Sequence, residues 1–221
     1  MARVRCFLIE PTDMVERSLR RYYGVRRPDL TYDEAVARGK CSVNPMGIHN
    51  AATPIEPEPV IPDEQNEGYI KNGSQDDHPH DDPRWPTACM CGFQFDEHDA
   101  WQVFVERLYR RADTGEECAL RDAPVGAMWY APWMDVFHPQ GPHALVVKLP
   151  DNTDWIVDMS ASNCNWPGGD HSQEHHHCWP YKGTPPDITV DKSFGTTCTA
   201  GAGSIATKHY HGFLRNGYLE D

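Results

Sequence analysis

The stretch DEHDAWQVFVERLYRRA, residues 96–112, decides how the chain is read. Trp101, Phe104, Val105 and Leu108 recur with the 3.6-residue period of an amphipathic helix. Asp96 can cap its start. Arg107, Arg110 and Arg111 sit near its end, where cations complement the helix dipole. The stretch predicts the main helix of the protein, over about 96–112, packed on a sheet.

Around it the signals are mostly extended. Residues 2–9 read as a buried strand with Val4, Cys6 and Leu8 on one face. Asp13 to Tyr23 reads as a short helix. Thr31 and Glu34 have capping-box spacing ahead of Ala35–Arg38, and Gly39 would stop that turn. Ala144–Leu149 and Asp154–Met159 flank the turn PDNT and predict a hairpin. Ile188–Val190 is a further strand. His211–Leu214 and Tyr218–Glu220 flank Arg215-Asn216-Gly217, and Asn-Gly is a strong hairpin turn. The expected fold class is α+β: one main helix on a small antiparallel sheet, loop-rich and stapled by zinc. A chain of 221 residues suits a single domain.

Residues 40–86 differ in character. Seven prolines fall between Pro54 and Pro86, among acidic residues such as Glu56, Glu58, Asp63, Asp76 and Asp81. This predicts a long acidic loop or arm within the domain.

The formal charge of −13 argues against nucleic acid as a partner, because phosphates would be repelled. It suits a basic protein partner. The N-terminal apolar run Cys6–Ile9 is too short for a signal peptide, and no stretch predicts a membrane span. In a reducing compartment, the 8 cysteines read as metal ligands or buried thiols rather than a disulfide framework.

Two groups of residues have the chemistry of zinc ligands, thiolate and imidazole in short-spaced pairs. The first is Cys89-Met90-Cys91-Gly92, whose glycine permits the sharp turn that aims amides at sulfur. His98 or His211 could complete such a site, or it could pair with the second group. That group lies in NCNWPGGDHSQEHHHCW, residues 163–179, with a cysteine beyond it. His176 and Cys178 point the same way on an extended chain, and Cys164 and Cys198 would close a tetrahedron with them.

A catalytic alternative uses His143, which opens one strand, and Asp158, which ends the next. The pattern resembles the His–Asp half of transglutaminase-like and papain-like cysteine hydrolases. The resemblance implies His143 as base, Asp158 as its orienting acid, and Cys91 or Cys89 as nucleophile. The departure is that about five residues separate Cys91 from the start of the expected helix, whereas that family's cysteine sits at the helix N-terminus. Phosphate-loop, HExxH and GxSxG motifs are absent from the sequence.

Several blocks together resemble a family of uncharacterised bacteriophage and prophage proteins. They are VRCFLIEPTD, CMCGFQF, LYRRADTGEE, LRDAPVGAMW, ASNC, HCW, PPDITVDK, TCTAGAGSI and YHGFLRNGYL. Residues 40–80 match no such pattern. The resemblance implies a phage or mobile-element origin and no particular activity. The expected role is a zinc-binding accessory protein, in the host cytoplasm or the virion. It would act through a host or virion protein without catalysis.

Overall fold

A computed structural model describes residues 3–23, 29–44, 47–59, 78–137, 141–158, 177–194 and 204–221. In chain order the elements are β1 (Arg3–Arg5), β2 (Phe7–Tyr22), α1 (Tyr32–Arg38), β3 (Asn50–Pro59), β4 (Ala100–Arg111), β5 (Glu117–Ala119), β6 (Ala127–Ala131), β7 (Ala144–Lys148), β8 (Asp154–Ile156), β9 (Tyr181–Thr184), β10 (Asp187–Val190), β11 (Ile205–Ala206), β12 (His211–Arg215) and β13 (Tyr218–Glu220). Two 3-10 turns, Leu120–Asp122 and Pro132–Phe137, join them.

The protein is therefore mostly β, and the α+β expectation is overturned. Its one α-helix among the described residues is the seven-residue α1. The stretch expected to be the main helix is β4. The reason lies in Val103, which a helix over 96–112 would have left off its apolar face. Val103 and Val105 are 3% and 9% exposed, and Trp101 packs with them. Positions 101, 103 and 105 thus alternate in the strand period. Phe104 points the other way, with the Arg20 guanidinium 4.2 Å above its ring. Asp13 to Tyr23, expected as a short helix, is likewise strand as far as Tyr22, the second half of β2.

The chain divides into two compact units, residues 12–108 and residues 1–11 with 109–221. The boundaries fall inside β2 and β4.

In the unit of residues 12–108, β3 runs antiparallel to β2, from Met14↔Pro59 to Tyr22↔Asn50. The proline-rich segment is thus partly a strand. β3 pairs only with β2 among the described residues. Such an edge strand tolerates Pro54, Pro57 and Pro59, which cannot donate to a ladder. Val15, Leu19, Trp85, Val103 and Val105 form the core. The Arg21 guanidinium lies 3.5 Å above the Trp101 ring and donates to the Asp96 carbonyl. α1 begins where the capping box predicts. The Thr31 hydroxyl and amide both donate to the Glu34 carboxylate, and the Glu34 amide donates back to Thr31 Oγ1.

In the other unit, the start of β2 lies parallel to β6, which continues antiparallel into β7 and β8. The β7–β8 hairpin and the β12–β13 hairpin follow the sequence reading. Asn216 and Gly217 both take positive φ, as a type I′ turn requires. β1, β13, β12 and β11 form a second sheet, and β9 and β10 a two-stranded ribbon. Leu149, Ile188, Ile205, Leu214 and Leu219 fill the main core, together with the thiols of Cys6 and Cys178. Among the described residues no helix is long and apolar enough to cross a membrane.

Candidate metal centre

Cys41, His49, Cys89 and Cys91 converge within the unit of residues 12–108. Their ligand atoms all lie within 4.8 Å of one another. Three thiols and an imidazole in that space can hold a metal ion.

Each half of the centre is built by a tight turn. Cys41 follows α1, and its amide donates to the Gly47 carbonyl at 2.8 Å. The Gly47 amide donates back to the Asn44 carbonyl at 2.8 Å, and Gly47 takes a positive φ. This loop brings the Asn44 amide to 3.3 Å from Cys41 Sγ. Chiefly through that amide, with that of Val43 and the neighbouring thiols assisting, the Cys41 thiol is pulled down to about 6. Backbone amides donating to sulfur stabilise thiolate, the form a metal needs.

The second half is the CMCG turn. The Cys89 amide donates to the Phe93 carbonyl and the Gly92 amide to the Cys89 carbonyl, both at 2.8 Å. Ala88 and Gln94 close the turn as a β-bridge. Gly92 has φ +90°, which an L side chain would strain. The Phe93 amide pulls the Cys91 thiol down, but burial and the sulfurs of Cys41 and Cys89 outweigh it and leave the thiol raised. Three sulfurs this close disfavour one another as thiolates, and a divalent cation relieves that repulsion.

His49 sits just before β3 and is buried. Its carbonyl accepts from the Tyr23 amide at 3.0 Å, next to the end of β2. Its ring stacks on Phe93 with centroids 4.0 Å apart and planes 7° apart. Its Nδ1 faces Cys91 Sγ at 3.2 Å. The Arg38 guanidinium also lies 5.1 Å from the Phe93 ring and pairs with Asp96 at 3.1 Å. The imidazole is thus oriented by packing before any ion arrives.

The spacing of Cys41 and Cys89 suits an edge of a coordination tetrahedron rather than a covalent link. Cys41 and Cys89 Sγ are 3.8 Å apart, far beyond the ~2.05 Å of a disulfide. With metal–sulfur bonds of ~2.3 Å, the edge of a tetrahedron is about 3.8 Å. Four protein ligands would close the shell of an ion held there.

Cys89 and Cys91, predicted as ligands, therefore belong together. Their partners are Cys41 and His49, which the sequence reading left inside the acidic arm. The expected completing histidines lie elsewhere. His98 is exposed beside Glu97, and His211 Nε2 lies 3.0 Å from Ser204 Oγ in the other unit. The signal for Cys41 was its own turn chemistry, Cys-x-x-Asn followed by Gly47.

Of the second group, Cys164, His176 and Cys198 lie outside the described residues. Cys178 is described: its thiol is fully buried among apolar side chains of the main core. In the catalytic alternative, Cys91 belongs to one unit and His143 and Asp158 to the other. The imidazole beside Cys91 is that of His49. Asp158 accepts from His177 Nδ1, and from the Trp179 amide at 2.9 Å. Burial pushes its carboxyl up, against the pull of those donors.

No family model, no curated protein and no solved structure matches the chain.

Proposed function

We propose that the chain is a zinc-stapled β protein that acts by binding another protein, with the metal holding structure rather than performing catalysis. The observation that carries this reading is the Cys41, His49, Cys89, Cys91 cluster. Three thiolates and one imidazole in a tetrahedron favour zinc over the hard cations, which take oxygen ligands. With four protein ligands there is no open position for water or substrate, so the ion would act as a staple. It would join the loop after α1 to the CMCG turn, 48 residues away along the chain.

The interaction role is supported by what those loops expose. Met90, between two ligands, is 87% exposed, and Val43, two residues after Cys41, is also exposed. Apolar tips on a rigid, metal-held loop suit a protein contact. The role we propose for such a contact is that of a virion accessory or host-interaction factor. The charge of −13 suits a basic partner.

Metal analysis of protein purified without chelators tests the staple. We expect one zinc per chain from this cluster, and its removal should shift the amide resonances of residues 39–49 and 87–95. Protein that folds with less than a tenth of an equivalent of any transition metal would refute it.

A further inference from the structure

We propose that this metal centre is also a peroxide-sensitive switch: oxidation joins Cys41 to Cys91 and expels the metal. The proposal rests on the zinc reading and adds regulation to it.

The three sulfurs are not equally placed. Cys41 and Cys89 are buried, whereas Cys91 is half-exposed beside the exposed Met90. With a metal bound all three sulfurs are thiolates, so access alone decides which one a small oxidant reaches first, and that is Cys91. The sulfur that answers must come from the facing loop. Cys89 and Cys91 are two residues apart in a turn pinned by the Gly92 amide to the Cys89 carbonyl and the Cys89 amide to the Phe93 carbonyl. A bridge between them would break that turn. Cys41 lies in the facing loop, outside that turn, and its sulfur lies within 4.8 Å of Cys91 Sγ. Reaching the ~2.05 Å of a disulfide needs a closure of at most about 2.8 Å.

The chemistry balances with a peroxide as oxidant. The Cys91 thiolate attacks one peroxide oxygen, the O–O bond breaks, and sulfenic acid and hydroxide form. The Cys41 thiolate then attacks the Cys91 sulfur, the S–S bond forms and a second hydroxide leaves. The two sulfurs lose two electrons and the two oxygens gain them. Cys89 and His49 remain, two ligands where zinc needs four, and the ion departs. Loss of the ion would remove the link that holds the two turns presenting Val43 and Met90 in fixed relation, so binding of a partner would answer to oxidants. Cys6 and Cys178 offer no competing route, being buried in the core of the other unit.

The experiment uses the full chain as purified. Zinc content is read first by mass spectrometry, then hydrogen peroxide is added with a metallochromic dye, and peptides are mapped. We expect one equivalent of zinc to be released and a Cys41–Cys91 linked peptide to appear. Dithiothreitol with added zinc should reverse both. Cys91→His keeps four ligands without the accessible sulfur, and should release zinc at least about tenfold more slowly. If that variant does not hold zinc, the wild-type peptide map still decides. Zinc retained while added glutathione is fully oxidised overturns the switch, as does zinc lost with Cys41 and Cys91 unlinked. Absence of zinc before peroxide is added overturns the metal reading itself and is distinguishable by that order.

Discussion

Cys89→Ala removes one of four ligands while leaving the apolar packing of unit 12–108 almost intact, because Cys89 is not part of its core cluster. Structural zinc binds small sites with about 10–16 kcal/mol of apparent free energy at neutral pH. Divided over four ligands, one thiolate accounts for roughly 3 kcal/mol. Water can take the vacated position, so the loss should be nearer 2.7 kcal/mol, or about a hundredfold in affinity. At a zinc concentration that saturates both proteins, the same hundredfold removes about 2.7 kcal/mol of ligand-linked stability. For a chain of this length that lowers the melting temperature by roughly 5–10 °C. The assay is competition against a chromophoric chelator, with melting curves taken with and without metal. The two proteins should differ with zinc and converge, within about 2 °C, once it is stripped. Cys178→Ala is the control: the same residue type, fully buried in the core of the other unit. It should cost about 1 kcal/mol of stability in both conditions and leave zinc affinity unchanged. If Cys178→Ala weakens zinc as much as Cys89→Ala does, the metal is held elsewhere and the Cys41, His49, Cys89, Cys91 site is refuted.

Three further outcomes follow from particular contacts. In stripped protein the folded Cys41 thiol, near 6, lies below its unfolded value, so the folded form binds fewer protons. Its contribution is fully present above the unfolded thiol range and is lost as pH falls through about 6; denaturant midpoints at pH 5 and 8 should show that slope, and Cys41→Ala should flatten it. Phe93→Leu removes the ring stacked on His49 and should weaken zinc about tenfold through a loosened imidazole, read by the same chelator competition. Gly126→Ala should cost about 2 kcal/mol or more in a urea titration, since φ is +90° and the added Cβ would lie 2.6 Å from the Arg5 carbonyl oxygen.

What could be read from the sequence was local. The α1 cap is a contact between residues three apart, Thr31 and Glu34, and the β12–β13 turn is a contact between neighbours, Asn216 and Gly217. Both are encoded in a window short enough to inspect. The 96–112 stretch failed for a different reason. Trp101, Phe104, Val105 and Leu108 satisfy a helical period, but Trp101, Val103 and Val105 satisfy a strand period equally well. Only burial against Val15 and Leu19 of β2 chooses between them. A valine at 103 was the available hint, because a β-branched residue off the apolar face favours neither packing nor helix propensity.

The same contrast decides how the metal centre was half seen. Cys89 and Cys91 share one turn, so their chemistry is visible as a motif. Cys41 and His49 come from a loop that reads as part of an acidic, proline-broken arm, and no spacing rule links position 41 to position 89. They meet because β3, despite its prolines, lies along the edge of β2 and begins at the end of β2 next to Tyr23, whose amide holds the His49 carbonyl. Val103→Ala isolates this dependence. On a helix it would fall off the apolar face, and alanine there would be neutral or slightly stabilising. In the core of unit 12–108 it leaves a cavity costing about 1–3 kcal/mol. Stability should therefore drop by that amount in stripped protein. Zinc affinity should stay within about threefold, because the ligand loops are pinned by their own hydrogen bonds. An unchanged midpoint would contradict the strand, and a lost metal would mean that the centre depends on the sheet core rather than on its two turns.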